Sequence, residues 1–168
     1  YRMVHISDLH LGTYGTDTTI ISRMVDSINA LHPDLIVFTG DLVSRRTSEA
    51  LPFMGALSRL KARDGVTAIL GNHDYDNYCR WPDSLAKERD HQALCDLQRQ
   101  MGWRLLGNEH LVLSHDGDSV LVIGEENYGE GHFINYSDLH AAYPDSVRQM
   151  PYKILLRHNP KQWREDII

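Results

Sequence analysis

Cysteine is scarce in this sequence, and long hydrophobic runs are missing. Cys79 and Cys95 are the only two cysteines among 168 residues, too few and too isolated for a disulfide framework or a cysteine-based zinc site. No apolar run approaches the ~18 residues of a membrane-spanning helix, and no signal peptide opens the chain. These absences argue against a disulfide-rich scaffold and against a membrane span within the residues given.

Positive charge is also in short supply. Seventeen Lys and Arg stand against 23 Asp and Glu, a formal net charge of −6, which argues against a surface built for the nucleic-acid backbone. The 42% of hydrophobic residues is enough for the core of one compact domain, or of most of a larger one. Because the chain begins without Met on an apolar run, we expect it to be part of a longer protein.

Strand and helix periods alternate through the first half of the chain. In order, the patterns predict a strand over Met3–Ser7, a helix over Ile20–Leu31 capped by Asp17 or Thr18, a buried strand in "DLIVFTGD", a helix over Ser48–Ala62, a buried strand in "VTAILGN" and a helix over Ser84–Met101. Strands that alternate with helices in this way indicate parallel pairing through crossover connections.

The second half has a different texture. Strand-like runs over His110–Ser114 and Ser119–Ile123 flank Asp116-Gly117, a dipeptide typical of a β-hairpin. Residues 125–150 are polar and contain glycine, and we interpret them as a long functional or capping loop with a weak helix over Ser137–Ala142. A last strand over Tyr152–Leu156 leads to a helix start at Asn159-Pro160.

Polar clusters follow four of the predicted strands directly. They are "SDLH" with Asp8 and His10, "TGD" with Asp41, "GNHD" with Asn72, His73 and Asp74, and "LRHNP" with His158. Ligands of open α/β sheets bind at the carboxyl ends of the strands. Each cluster alone is more typical of hydrogen-bonded structural residues, but the repetition at four strand ends indicates a shared site.

The residue types in these clusters suit divalent first-row metals. In an extended segment Asp8 and His10 would point to the same side and could bind one ion together. Asp41 is the natural carboxylate to bridge two cations, and the absence of sulfur ligands disfavours a structural zinc site. We expect Asp74 to satisfy turn amides rather than to orient a histidine.

The motifs "SDLHLG", "GDLV" and "GNHD" with the later His158 resemble those of the calcineurin-like metallophosphoesterases, from Val4 to about Trp163. The run "VIGEENYGEGHF" followed by "YKILLRHNPKQW" is similar to the bacterial, often membrane-tethered branch of this superfamily. The resemblance implies an α/β fold of two packed mixed sheets flanked by helices, a four-layer sandwich. It makes residues 1–168 one metallophosphoesterase domain, incomplete at its C-terminal end.

The resemblance also implies two divalent metal ions of Mn, Fe or Zn type. Asp8, His10 and Asp41 would hold the first ion, and Asp41, Asn72 and His158 the second. His73 is similar to the catalytic histidine of the family, an acid or a stabiliser of the phosphoryl oxygen. The implied reaction is hydrolysis of phosphomonoesters or phosphodiesters by attack of a metal-bridging hydroxide.

Two features depart from the family pattern. Relatives carry a Gly-His-X-His element after the position of His158, which supplies two more ligands, and this sequence ends at Ile168 before such a motif. We therefore expect metal binding to be weak without further residues. Several relatives also have Gly-Asp-X-X-Asp, whose second Asp steadies the catalytic histidine, whereas Ser44 stands there in this chain.

Further residues near the motifs are candidates for substrate contacts. Tyr75, Tyr78, Arg45 and His132 are placed to line a pocket. The tyrosines are equally well explained by packing of a loop, and Arg45 is better explained by simple solvation. As partners we expect small phosphorylated substrates or, from the branch resemblance alone, lipid-linked or nucleotide-sugar pyrophosphates. Membrane association would need a segment outside this sequence.

Two other functions remain open on the sequence. A nuclease of the double-strand-break repair type shares "SDLHLG" and "GNHD", but the acidic balance and the lack of basic stripes weigh against nucleic acid. A non-catalytic scaffold could keep the fold for protein binding, and the intact set of metal-type residues weighs against it.

Overall fold

Two β-sheets packed face to face form the centre of the fold. The computed structural model describes residues 1–75, 77–129 and 134–162. The first sheet has four strands, and the second has three. This mixed α/β architecture confirms the predicted fold class.

The first sheet is parallel throughout. Its strands, in spatial order, are β1 (Met3–Ile6), β2 (Leu35–Phe38), β3 (Val66–Ala68) and β4 (Trp103–Leu105). The connections contain helices α1 (Thr19–Ala30), α2 (Met54–Leu57) and α3 (Ser84–Gln100). Parallel strands require such crossovers, because a tight turn cannot return the chain to the starting edge.

β2 is apolar at every position because both faces of the first sheet are covered. Leu35 and Val37 pack toward the second sheet with Val122. Ile36 and Phe38 pack on the opposite face among residues of the three helices. The run that sequence periodicity marks as a buried strand is therefore buried on two sides.

The second sheet begins with the predicted hairpin. β5 (Glu109–His115) pairs antiparallel with β6 (Asp118–Gly124) across the turn at Asp116-Gly117, and β7 (Tyr152–Leu156) pairs parallel with β6. A short helix, α4 (Leu139–Ala142), packs its Ala142 against Leu121 and Ile123 of β6. The layers are thus helices, first sheet, second sheet and α4.

One strand was missed and one helix prediction was wrong. The sequence patterns did not indicate β4, which pairs parallel with β3 in the first sheet. At three residues, β4 is too short to show a period. The predicted helix over Ser48–Ala62 is instead two 3-10 turns, Thr47–Glu49 and Leu51–Phe53, and the single turn of α2.

Capping explains where the regular helices begin. Asp83 accepts a hydrogen bond from the amide of Ala86 at the start of α3, and Asp17 accepts one from the amide of Thr19 at the start of α1. Carboxylates at these positions satisfy amides that have no partner inside the helix. Among the described residues, no helix has the length and apolar character needed to cross a bilayer.

Candidate metal centre

The loops that follow β1, β2, β3 and β7 meet at one edge of the stacked sheets. The amide of Asp8 donates to the carbonyl of Gly40 over 3.0 Å, and the amide of His10 donates to the carbonyl of Asp41 over 3.0 Å. These bonds continue the β1–β2 pairing past the last residues of both strands. The predicted clusters are therefore held together by backbone contacts as well as by strand order.

Asp8 and His10 do not lie in an extended segment, so that part of the sequence argument was wrong. Their φ angles are 57° and 44°, and Asp41 has a φ of 60°. Non-glycine residues enter this left-handed region at a cost of about 1–3 kcal/mol, typically at functional sites. The loop nevertheless brings His10 Nε2 within 3.8 Å of an Asp8 carboxylate oxygen.

Asp41 lies at the centre of the cluster, with its side chain only 4% exposed. Its Oδ1 accepts a hydrogen bond from the amide of His73 over 2.9 Å. Its Oδ2 is 3.4 Å from His10 Nε2 and 3.5 Å from His158 Nε2. One carboxylate thus faces histidines that come from both sheets.

The groups around His158 fit a bound cation. His158 Nδ1 donates to the carbonyl of Thr39 over 2.7 Å, so Nε2 of the neutral ring carries a lone pair. That nitrogen faces the side-chain oxygen of Asn72 at 3.0 Å and Asp41 Oδ2 at 3.5 Å. With the neutral ring in this tautomer, three electron-pair donors face one another, which is an arrangement that a metal ion satisfies, and a backbone carbonyl is a usual partner for the second nitrogen of a metal-binding histidine.

Among the residues that the structure describes, two groups of side chains are placed to hold metal ions, and both include Asp41. One consists of His10, Asp41 and His73, and the other of Asp8, Asp41 and His158, with candidate ligand atoms within 4.8 Å of one another. The sequence assigned Asp8 and His10 to the same ion and gave His73 a catalytic role instead. The structure brings all of these residues together without deciding the pairing.

Asp74 connects the loops at this edge of the sheets by hydrogen bonds. Its fully buried carboxylate accepts four backbone hydrogen bonds, from the amides of Asp41, Leu42, Val43 and Gly71. Burial raises the pKa of Asp74 to about 7, while the amide donors oppose that rise. The prediction that Asp74 satisfies turn amides is confirmed, and these amides belong to two different loops.

Gly71 lets the loop after β3 approach the cluster. A Cβ at this position would lie 2.3 Å from Asp41 Oδ1 and 2.8 Å from His158 Cε1. No side chain fits between the backbone of Gly71 and these two residues. The glycine of "GNHD" is thus required by close contact with the candidate ligands.

His73 is fixed on three sides. Its Nδ1 donates to the backbone carbonyl of Ser44 over 2.7 Å. Its ring stacks on Tyr78 with centroids 3.8 Å apart, and it meets the ring of His10 edge-on at 4.8 Å. His73 is thus held by a main-chain oxygen at the position of Ser44, and the hydroxyl of Ser44 has no partner among the described residues.

Glu49 is a residue near the site that the sequence patterns did not indicate. Its Oε2 accepts hydrogen bonds from the amides of Ser44 and Arg45, over 2.7 and 3.2 Å. The signal available in the sequence was a serine in place of the expected Asp, with an acidic residue five positions later. Glu49 and His73 therefore form hydrogen bonds to the same loop, at Ser44 and Arg45.

The candidate substrate contacts fall in different environments. Tyr75 is buried and stacks on Tyr136 with centroids 4.2 Å apart, which favours the packing interpretation. Tyr78 stacks on His73 and accepts a hydrogen bond from Asn72, and Arg45 is exposed. His132 lies outside the described residues.

A loop beyond "GNHD" is anchored to the loop after β2. The guanidinium of Arg46 lies 4.4 Å from the ring centroid of Trp81 and donates to the carbonyl of Arg80. A cation over an indole ring is attracted by the ring quadrupole. These contacts place Tyr78 at the rim beside His73.

Comparison with known proteins gives a consistent result. A model of the calcineurin-like phosphoesterase family matches residues 1–167. The uncharacterized metallophosphoesterase YkoQ of Bacillus subtilis is 28% identical over 161 residues, which cover 95% of this chain and 53% of YkoQ. The UDP-2,3-diacylglucosamine pyrophosphatase LpxG of Chlamydia trachomatis is 28% identical over 198 residues, which cover 95% of this chain and 57% of LpxG.

A solved structure supports the fold. The NAD nucleotidase NadN of Haemophilus influenzae superimposes with a TM-score of 0.59 at 15% identity, covering 97% of this chain and 35% of NadN. At this identity the likeness concerns the fold alone. The chain spans about half the length of the two curated relatives.

Proposed function

The chain belongs to the calcineurin-like phosphoesterase family, and from this premise we propose that it is a metal-dependent phosphoesterase. The proposed reaction is hydrolysis of phosphomonoesters or phosphodiesters, carried out within one domain over residues 1–168. The observation that carries the proposal is the buried carboxylate of Asp41, which faces His10 and His158 from loops of two sheets.

We assign two divalent cations to this cluster. Asp41 would be shared, with Asp8 and His10 on one side and Asn72 and His158 on the other. Nitrogen and oxygen donors without sulfur suit Mn, Fe or Zn. When bound, such a pair neutralises charge on a phosphoryl group and activates water as the nucleophile.

His73 has the acid or stabilising role in this proposal. Because Nδ1 is used by the carbonyl of Ser44, Nε2 is the nitrogen left to serve a phosphoryl or leaving-group oxygen. The Tyr78 ring keeps the plane of His73 fixed by stacking. A positioned group of this kind contributes roughly 10²–10⁴ in rate.

Arg45 and Tyr78 are the proposed contacts to substrate. Arg45 is exposed directly after the loop residue that holds His73, where a guanidinium can pair with a phosphate. Tyr78 stands at the rim with its ring against His73. We leave Tyr75 out of this set because its side chain is 4% exposed.

Small phosphorylated or lipid-linked compounds are the proposed substrate class. Support comes from the relative LpxG, which is named as a pyrophosphatase of UDP-2,3-diacylglucosamine. The net charge of −6 disfavours the nuclease alternative.

Hydrolysis of p-nitrophenyl phosphate and bis-(p-nitrophenyl) phosphate with Mn²⁺ tests the proposal, on the full-length protein that carries this domain. His73→Ala should keep bound metal and lower kcat by about 10²–10³, whereas Asp41→Ala should lose metal as well as activity. His110→Ala is a matched control, because His110 lies in β5 of the second sheet and donates to the carbonyl of Ala142 in α4 instead of contacting the cluster.

Full activity of His73→Ala would refute its assigned role. Absence of turnover with every divalent metal tried, together with absence of bound metal by elemental analysis, would refute the enzyme proposal and leave the scaffold alternative.

A further inference from the structure

Glu49 and His73 are linked through a single peptide group. The Ser44 carbonyl accepts the Nδ1 hydrogen bond of His73 over 2.7 Å. The amide of Arg45, which belongs to the same peptide unit, donates to Glu49 Oε2 over 3.2 Å. The carboxylate, the peptide and the imidazole thus form one continuous chain of hydrogen bonds.

A peptide group in such a chain is polarised. When its N–H donates to an anion, electron density shifts toward its carbonyl oxygen, which becomes a stronger acceptor. The amide of Ser44 donates to the same carboxylate oxygen over 2.7 Å, which fixes the peptide plane. The charge of Glu49 therefore strengthens the bond that orients His73.

Glu49 is not paired with a basic side chain among the described residues. In the parts of the chain that the structure describes, Glu49 forms no ion pair with Lys or Arg. The side chain is half-buried, so solvent screens it less than it would an exposed carboxylate. Its contacts are the two amides of the loop that holds His73.

Gly12 provides the space for this carboxylate. A Cβ at Gly12 would lie 2.4 Å from Glu49 Oε2 and 2.6 Å from its Cδ. Gly12 has an ordinary negative φ, so the conformation does not require glycine and the space does. The glycine of "SDLHLG" and the glutamate 37 positions later thus fit together.

From this geometry we infer that Glu49 is a positioning residue for His73, acting through the Ser44–Arg45 peptide. Its carboxylate acts on His73 through one peptide group. It thereby takes the place of the second Asp of the Gly-Asp-X-X-Asp pattern, a position that Ser44 occupies in this chain. The inference rests on the proposed function for its kinetic consequence but not for the hydrogen-bond chain itself. Glu49 does not touch substrate.

The test uses Glu49→Gln, which keeps the shape of the side chain and removes its charge. In metal-free protein, the His73 Nδ1–H proton resonance should move upfield, because the Ser44 carbonyl becomes a weaker acceptor. In the Mn²⁺-loaded enzyme, kcat should fall roughly 10-fold, with KM and Mn²⁺ affinity unchanged within about twofold.

Asp90→Asn is the matched control. Asp90 accepts a hydrogen bond from the amide of Thr47 over 2.8 Å, in the same loop but outside the Ser44–Arg45 peptide. It should lower the melting temperature about as much as Glu49→Gln does, without moving the His73 resonance or kcat. Gly12→Ala, which displaces the carboxylate without changing its charge, should repeat the spectral change if Glu49→Gln does not fold.

An unshifted His73 resonance in both Glu49→Gln and Gly12→Ala would overturn the inference. Equal kinetic effects of Glu49→Gln and Asp90→Asn would also overturn it, since Glu49 would then only stabilise the loop. If the unsubstituted protein hydrolyses no phosphoester, the proposed function fails, and the metal-free spectra still decide the link between Glu49 and His73.

Discussion

Asp41 and Asp74 are neighbouring buried carboxylates with different hydrogen-bond environments. Both oxygens of Asp74 accept hydrogen bonds from backbone amides, and these amides belong to the loops after β2 and β3. Among the described residues, Oδ1 of Asp41 alone accepts an amide, while Oδ2 faces histidine nitrogens. A carboxylate saturated by amides is a structural anchor, and one with a free oxygen is available to a cation.

Asp74→Ala is expected to lower the free energy of unfolding by at least about 3 kcal/mol, because it leaves buried amides without acceptors. Chemical denaturation in urea measures this change. Asp17→Ala is the control, because it removes a carboxylate that accepts one exposed amide, and we expect a much smaller loss because water can replace that bond. Equal losses in the two variants would contradict the anchoring role.

At the scale of elements, the sequence predicted the helices and strands that have a clear hydrophobic period or a clear turn dipeptide. Long helices with an apolar stripe, such as α3, and the hairpin at Asp116-Gly117 were found near their predicted bounds. β4 was missed because three residues carry no period. Pro52 lies in the second of the two 3-10 turns that replace the predicted helix over Ser48–Ala62.

The residues of the candidate site could be predicted from the sequence, but their backbone conformations could not. Side-chain chemistry and position after a strand are visible in the sequence, so Asp41, Asn72 and His158 could be selected. The left-handed backbone of Asp8 and His10 could not be foreseen, because it follows from pairing with a loop that is distant in sequence. The contact of His73 with a carbonyl was hidden because every residue has that group.

Substitution of Gly71 tests how closely the loop after β3 must approach the loop after β2. Gly71→Ala should lower the free energy of unfolding by about 2–4 kcal/mol and weaken Mn²⁺ binding by at least about 10-fold, since its Cβ would overlap Asp41 Oδ1. Denaturation and calorimetric titration measure the two effects. Gly55→Ala in α2 is the control, because nothing lies within 4 Å of its Cβ, and helix propensity predicts unchanged or slightly higher stability.

Weakened Mn²⁺ binding in Gly71→Ala without loss of stability would be compatible with the close contact, because the ligands alone would have shifted. Unchanged Mn²⁺ affinity would show that Gly71 is not needed by the cluster.

At the scale of the whole molecule, the cluster joins the two sheets. His158 follows β7 of the second sheet, and its Nδ1 donates to the carbonyl of Thr39, which follows β2 of the first sheet. The apolar layer between the sheets, which includes Leu35, Val122 and Leu156, sets their spacing. A cation bound between Asp41 and His158 would therefore bridge the two sheets.

Mn²⁺ is accordingly expected to raise the melting temperature. At a free concentration 100-fold above Kd, the stabilisation is about 2.7 kcal/mol, which corresponds to roughly 5–10 °C for a domain of this size. Differential scanning calorimetry measures the shift. Asp41→Asn should abolish it and His110→Ala should retain it, whereas an equal shift in Asp41→Asn would place the ion elsewhere.

The left-handed conformations of Asp8, His10 and Asp41 set stability against activity at the same three positions. Glycine would relieve each strain and is expected to stabilise the backbone by up to about 1 kcal/mol, yet each such change would delete a candidate ligand. Backbone strain of this kind persists where the surrounding structure holds it, most often at functional sites. The conflict between a relaxed backbone and retention of three ligand-type side chains therefore supports the enzyme proposal over the scaffold alternative.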